Sequence, residues 1–125
     1  MRNSPFELRD LWEQQENFMR LLQQERNFPE FPVDLSSKDG QRLIQNIRHH
    51  CMDELHEASI CLKNAKSHRL TENPVVDREA YLEELCDAQH LLFEIFIASG
   101  FTRQEFCQAY LAKGLVNEER IKGSY

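Results

Sequence analysis

Apolar positions recur every three to four residues along most of the chain, which is typical of amphipathic α-helices. In the first helix the positions at this spacing are Leu8, Leu11, Trp12, Gln15, Met19 and Leu22. The preceding "SPFE" predicts the helix start, with Ser4 as N-cap, Pro5 in the first helical position and Glu7 completing a capping box. This helix should end before "NFPEFPVDLSS", because Pro29 and Pro32 cannot continue it.

Two long helices are predicted in the middle of the chain. The second helix should run from about Lys38 or Asp39 to about Ser67, where the polar segment "SHRLTENP" interrupts the pattern. The third helix should open at the Asn-Pro pair 73–74, or slightly later with Asp77 as its cap.

The end of the third helix and the start of the fourth are marked by short motifs. Gly100 is a typical residue just beyond a helix C-terminus. Thr102 and Glu105 then form a capping box that predicts the fourth helix, which either breaks or continues at Gly114. With four Gly and four Pro in 125 residues and few β-branched runs, the sequence predicts one all-α, four-helix, bundle-like domain over residues 1–125.

Composition and charge narrow the functional classes. The chain is 41% hydrophobic and 29% charged, which is typical of globular proteins. Its net charge of -6 argues against purely electrostatic binding to nucleic acid or to anionic membranes. None of the four cysteines forms a C-x-x-C pair, which favours free thiols. We find no apolar stretch of signal-peptide or membrane-span length in the sequence, and therefore expect a cytoplasmic protein, in the host cytoplasm if the source is viral.

Two glutamates of the second helix fall on its apolar side. At about 100° per residue from Leu43, Glu54 lies near 20° and Glu57 near -40°, whereas Asp53 and His56 point away. The stripe that these angles predict as buried consists of Leu43, Ile47, Cys51, Ala58, Cys61 and Ala65. We therefore expect both glutamates to face inward.

The third helix carries a second acidic pair three residues apart, Glu84 and Asp87. Both lie opposite the apolar stripe that the spacing predicts, which consists of Leu82, Leu85, Phe93 and Phe96. Four clustered carboxylates repel one another unless protons or cations neutralise them. A site with only oxygen ligands favours a hard cation, so the sequence predicts Mg²⁺, with Mn²⁺ as the alternative.

These motifs resemble a known superfamily. "E-x-x-E" at Glu54 and Glu57 followed by "E-x-x-D" at Glu84 and Asp87 is similar to the signature of the all-α nucleoside triphosphate pyrophosphohydrolases, which include the MazG proteins and the dimeric all-α dUTPases. His90 extends the second motif to the E-x-x-D-x-x-H pattern of the dUTPases. "YLAKGLVNEERIKGSY" resembles their Y-x-x-K-x-x-x-N-x-x-R segment and the G-S-Y after it. Together these segments span most of residues 40–125 and resemble a compact, phage-type member.

The resemblance implies an enzyme that hydrolyses a deoxynucleoside triphosphate to the monophosphate and diphosphate. It implies Mg²⁺ held by the four acids, which are also the catalytic residues, and a homodimer or homotetramer whose subunits complete one another's sites. The implied substrate-binding residues are Lys113, Asn117, Arg120, Lys122, Tyr125, Gln15 and His90. Both dUTP and purine deoxynucleotides (dATP or dGTP) remain candidate substrates.

Two other classes stay open on the residues alone. A helical module that binds a partner helix would explain the amphipathic pattern, but it gives no reason for inward acids. A di-iron carboxylate bundle needs acid-x-x-His motifs on two helices, and the chain offers Asp53 with His56 and Asp87 with His90. The outward direction of Asp53 and His56 makes this second alternative the weaker one.

Overall fold

The computed structural model describes residues 6–62, 68, 70 and 76–123. It contains four α-helices: α1 (Leu8–Arg26), α2 (Lys38–Ile60), α3 (Arg78–Ala98) and α4 (Arg103–Lys122). No β-strand occurs among those residues, so the predicted all-α class is confirmed. Within the same described ranges, no helix combines the length and the apolar composition that a membrane crossing requires.

Helix α1 begins later than the sequence pattern indicated. Its N-cap is Glu7, whose backbone N–H donates to Asp10 Oδ2 at 3.2 Å, so the expected place of Glu7 inside the helix is wrong. The predicted cap Ser4 lies outside the described residues, as does Pro5. At the other end the prediction is confirmed, because the helix stops at Arg26 and the next residue has a left-handed backbone with φ 57°.

Helix α2 is fixed at its start by a compact turn. The Ser37 hydroxyl accepts a hydrogen bond from the Gly40 N–H at 2.9 Å and donates to the Asp34 carbonyl at 2.8 Å. A Cβ on Gly40 would overlap that same carbonyl oxygen, so glycine is required at this position. Two hydrogen bonds from Ser36 to the Asp34 carboxylate lower the pKa of Asp34.

The end of α2 differs from the sequence prediction. The helix ends at Ile60, whereas the pattern extended it to about Ser67. In the last turn the Ser59 hydroxyl donates to the His56 carbonyl at 2.7 Å and competes with the helical backbone bonds there. Residues 63–67 lie outside the described part of the chain.

The junction motifs of α3 and α4 are confirmed where the structure describes them. The Ala80 N–H donates to Asp77 Oδ1 at 3.1 Å, so α3 takes the later of its two predicted starts. Gly100 has a φ of 93°, and a Cβ there would lie 3.1 Å from Pro32 Cβ. The alternative start at 73–74 lies outside the described residues.

Helix α4 begins at the predicted capping box and runs through its internal glycine. Thr102 Oγ1 accepts from the Glu105 N–H at 3.1 Å, while Glu105 Oε1 accepts from the Thr102 N–H at 3.2 Å. The helix then continues past Gly114 to Lys122, which decides between the two predicted outcomes. The polar segment that follows the glycine is therefore helical.

The described chain divides into two compact units. The first unit contains the described residues of Met1–Val33 and Phe96–Tyr125. Its core is aromatic: Trp12 is buried and its ring lies 5.6 Å from that of Phe106, while Met19 is buried two turns further along α1. The Trp12 indole N–H donates to Glu16 Oε1 at 3.0 Å, which satisfies the buried polar atom.

The second unit contains the described residues of Asp34–Ile95, namely α2 and most of α3. The buried side of α2 follows the prediction, with Ile47, Cys51 and Ala58 inside. Leu43 and Cys61 of the same stripe are half-buried, and Ala65 lies outside the described residues. On α3 the predicted stripe is partly wrong, because the Leu82 side chain is 61% exposed.

Candidate metal centre

Small residues let α2 and α3 approach closely at the position of the acidic motifs. Ala58 on α2 and Ala88 on α3 are both buried, and the Cys51 thiol donates to the Ala88 carbonyl oxygen at 3.3 Å. Burial raises the pKa of the Cys51 thiol, which keeps it protonated and able to donate. The contact lies one turn from Glu54 and next to Asp87, so it holds the acid-bearing faces together.

Three of the four predicted acids form one cluster. Glu54, Glu84 and Asp87 each offer a carboxylate oxygen, and these atoms all lie within 4.8 Å of one another. Glu54 and Glu84 are half-buried, while Asp87 is exposed. Adjacent ligands of an octahedral Mg²⁺ ion lie about 3 Å apart, and opposite ligands about 4.2 Å. The three oxygens would therefore move closer together on binding one ion.

One carboxylate oxygen of the cluster is buried and lacks a hydrogen-bond partner among the described residues. Glu84 Oε2 is buried, and no donor of the described chain reaches it. The pKa of Glu84 is raised, first by a hydrogen bond with Glu54, then by burial and by the charges of Glu54 and Asp87. The site therefore binds a proton more strongly than an isolated carboxylate would, and a cation placed there would satisfy the same oxygen.

Glu57, the fourth predicted acid, lies at the margin of the cluster. Its side chain is exposed, so the expectation that it faces inward is wrong in the single chain. Its carboxyl still interacts with the site, because a hydrogen bond with Glu84 and then the Glu84 charge raise its pKa. Glu57 therefore belongs to the same electrostatic system as the three clustered acids.

The acidic cluster is rich in oxygen ligands. Among the described residues, salt bridges join Arg9 with Glu7, Arg20 with Glu16 and Arg42 with Asp39, all outside the cluster. The clustered atoms are carboxylate oxygens, which suit hard cations such as Mg²⁺ and Mn²⁺. The buried Glu84 oxygen, which no donor of the described residues reaches, fits a metal-binding role.

A fifth acid on the same side of α3 was missed. Glu94 is only 6% exposed, although the polar residues Glu83 and His90 of the same helix are both exposed. Burial raises the pKa of Glu94, and the charge of His50 on α2 works in the opposite direction. The signal was present in the spacing, because Glu94 follows Asp87 by seven residues, which is two helical turns.

The other predicted substrate-binding residues fall in different surroundings. Lys113 and Asn117 line one cavity beside α4 in the first unit. Arg120 and Lys122 lie exposed further along α4, and His90 lies exposed on α3. Gln15 is buried at 4% exposure, so little of its amide faces solvent in the single chain. Tyr125 lies outside the described residues.

Comparisons with family models, curated proteins and solved structures give no match to this chain. The function is therefore inferred from the chemistry of its own side chains. Those that the structure brings together are the acids of α2 and α3 in one unit and the polar residues of α4 in the other.

Proposed function

We propose that this protein is a Mg²⁺-dependent deoxynucleoside triphosphate pyrophosphohydrolase, which converts a dNTP and water to the dNMP and diphosphate. The cluster of Glu54, Glu84 and Asp87, with its buried and unsatisfied Glu84 oxygen, carries the proposal. The resemblance of the acidic motifs and of the α4 segment to the MazG and all-α dUTPase superfamily supports the same reaction class.

The four acids divide into metal ligands and a general base in this proposal. Glu54, Glu84 and Asp87 would hold the metal, which when bound supplies positive charge to the phosphate chain and lowers the pKa of a coordinated water. Glu57 lies beside them, is exposed and has a raised pKa, so its carboxylate is suited to accept the proton of the attacking water.

The basic residues of α4 would contact the phosphate oxygens. Lys113, Asn117 and Arg120 recur at spacings of four and three residues and therefore share one side of the helix. Arg120 can make bidentate contacts to phosphate, and Lys122 adds a further charge nearby. The same segment includes Tyr125 in the resemblance, at the end of the sequence.

A homodimer or homotetramer belongs to the same proposal. Helix α4 has no buried residue in the single chain. Its large aliphatic side chains with high exposure are Leu111, Leu115, Val116 and Ile121. A second copy would cover such residues, and the resemblance implies that subunits share their sites.

The same exposed residues favour one alternative, a helical module that binds a different protein. An interaction module of this kind does not explain the acid cluster. The di-iron alternative is weaker, because Asp53 and His56 are both exposed and neither belongs to the cluster.

The reaction class can be tested with a hydrolysis panel. Purified protein would be given dUTP, dTTP, dCTP, dATP, dGTP and the ribonucleotides with Mg²⁺ or Mn²⁺, and the products would be identified. We expect monophosphate and diphosphate from one or a few deoxynucleotides, with dUTP or a purine deoxynucleotide preferred. Absence of turnover with either metal would reject the enzyme and favour the interaction module.

Arg120→Ala is expected to weaken binding of the triphosphate. Loss of a charge-assisted contact to phosphate should raise KM about tenfold, with a smaller change in kcat. The matched control is Arg42→Ala, which removes an exposed arginine of α2 that pairs with Asp39. Steady-state kinetics would measure both variants. An unchanged KM in Arg120→Ala would exclude Arg120 from the site.

A further inference from the structure

A cavity of about 380 Å³ lies along one side of α4. Its walls combine three aromatic rings, Phe96, Phe106 and Tyr110, with two polar side chains, Lys113 and Asn117. The volume falls within the range of about 300–1,000 Å³ that small-molecule sites occupy. We propose that this cavity binds the aromatic base of a nucleotide, which deepens the proposed function and rests on it for the identity of the ligand.

The aromatic end of the cavity has the geometry of a stacking surface. The Phe96 and Phe106 rings meet edge to face with their centroids 4.8 Å apart, and the Tyr110 ring lies 5.7 Å from that of Phe106. The first two rings hold each other in place, while Tyr110 is 68% exposed. An exposed ring on a fixed aromatic support offers a face on which a planar base can stack.

The polar end suits the anionic part of the same ligand. Phe106, Tyr110, Lys113 and Asn117 recur at helical spacing and form one stripe of α4. Lys113 follows Phe106 by seven residues, which places its backbone about 10 Å further along the helix axis. A base stacked at the aromatic end would therefore direct its sugar and phosphate toward Lys113, and a longer phosphate chain toward Arg120.

Gly114 provides an independent observation. It lies in the middle of α4, where glycine is less stable than alanine, and it lines the cavity. No atom of the described chain lies within 4 Å of the position that a Cβ would take. The fold of the chain therefore does not require this glycine. A glycine at this position leaves room for a molecule from outside the chain to approach the helix backbone closely.

The chemistry of the cavity favours a nucleotide over a second copy of the chain. Charged residues are depleted at the centres of protein interfaces, whereas Lys113 stands at the wall of this cavity. Leu111 and Leu115 are exposed and lie roughly opposite Lys113 at about 100° per residue. They provide a separate apolar surface for contact between copies.

Binding without hydrolysis tests the proposal. Isothermal titration of the full chain in EDTA would use dUMP, dAMP and dGMP at millimolar concentration, with inorganic triphosphate as the ligand that lacks a ring. Gly114→Leu should fill the cavity and weaken binding of the preferred monophosphate roughly tenfold or more. It should leave the affinity for inorganic triphosphate within about twofold. Gln108→Ala, which changes an exposed residue of α4 that does not line the cavity, is the control.

Gly114→Ala should change thermal stability and ligand binding in opposite directions. Gly114→Ala should raise the melting temperature of the ligand-free protein, because alanine favours the helix, and should still weaken monophosphate binding. Tyr110→Ala removes the exposed ring and should reproduce the loss of binding. Because the Tyr110 side chain is largely exposed, we expect Tyr110→Ala to fold, and it can replace Gly114→Leu as the test if that variant does not fold.

Several results would overturn the proposal. These are no monophosphate binding by the wild type, unchanged binding in Gly114→Leu and Tyr110→Ala, an equal loss for inorganic triphosphate, or dissociation of an oligomer in Gly114→Leu. Base binding at the cavity without turnover of any triphosphate would reject the proposed enzymatic activity and support base binding. Normal kinetics in Gly114→Leu would reject base binding at the cavity and leave the proposed enzymatic activity intact.

Discussion

Glu84→Gln is expected to abolish Mg²⁺-dependent hydrolysis while the helices stay intact. Glu84 carries the buried oxygen that no donor of the described chain reaches, and it interacts with Glu54, Glu57 and Asp87. The amide has the same shape as the carboxylate but lacks the charge that binds a cation. We expect kcat/KM to fall by about 10³-fold or more, with an unchanged circular dichroism spectrum.

A neighbouring glutamate supplies the control for this variant. Glu83 is exposed, precedes Glu84 on α3 and does not belong to the acid cluster. Glu83→Gln makes the same change of net charge, which makes it a matched control. It should keep near wild-type activity, because Glu83 lies outside the cluster. Equal activity of the two variants would mean that the cluster does not hold the catalytic metal.

Spacing alone predicted most of the acid cluster. Acids three residues apart on a helix share a side, and two such pairs on consecutive helices predicted one group of carboxylates. The structure brings together Glu54, Glu84 and Asp87, and it leaves Glu57 exposed beside them. A helical wheel gives the direction of a side chain but not how far the partner helix extends over it, so the margin of the site could not be predicted.

Burial along α3 was harder to predict, because this helix is apolar on nearly every side. Its periodicity placed Leu82 inside, whereas the structure has Leu82 exposed and buries Glu94, which the sequence pattern did not single out. Which side of such a helix is covered depends on the elements packed against it. The sequence of the helix itself does not contain that information.

The ends of the helices show the same division between local and distant causes. The Asp77 and Thr102 side chains each accept a hydrogen bond from a backbone N–H three residues later, and both predicted caps are confirmed. The cavity beside α4 could not be predicted in this way. It depends on Phe96 packing against Phe106, ten residues later and on another helix, while Gly114 in the sequence indicated only a helix break or a continuation.

Metal binding should stabilise the protein more as pH rises. The pKa values of Glu57 and Glu84 are raised from an ordinary value of 4.5, so the folded state binds their protons more tightly than the unfolded state does. The stability that this provides is fully present below pH 4.5 and is lost as pH rises through the raised values. In EDTA, the melting temperature should therefore fall over this window.

Saturating Mg²⁺ should reverse that loss, because it replaces the protons as the neutralising charge. At about 100 times its Kd, a ligand of the folded state should raise the melting temperature of a domain of this size by roughly 10 °C. Thermal unfolding at acidic and at neutral pH, with Mg²⁺ or EDTA, would measure the difference. The increase should be large at neutral pH and small near pH 4, where protons compete for the same oxygens.

Glu84→Gln separates this effect from other titrating groups. The variant should lose the Mg²⁺-dependent increase and show a shallower pH dependence in EDTA, since one of the coupled carboxyls is gone. Some dependence should remain, because burial also raises the pKa of Glu94. An increase with Mg²⁺ that persists in Glu84→Gln would place the cation elsewhere. Equal increases at pH 4 and at neutral pH would mean that its ligands are not the carboxylates with raised pKa values.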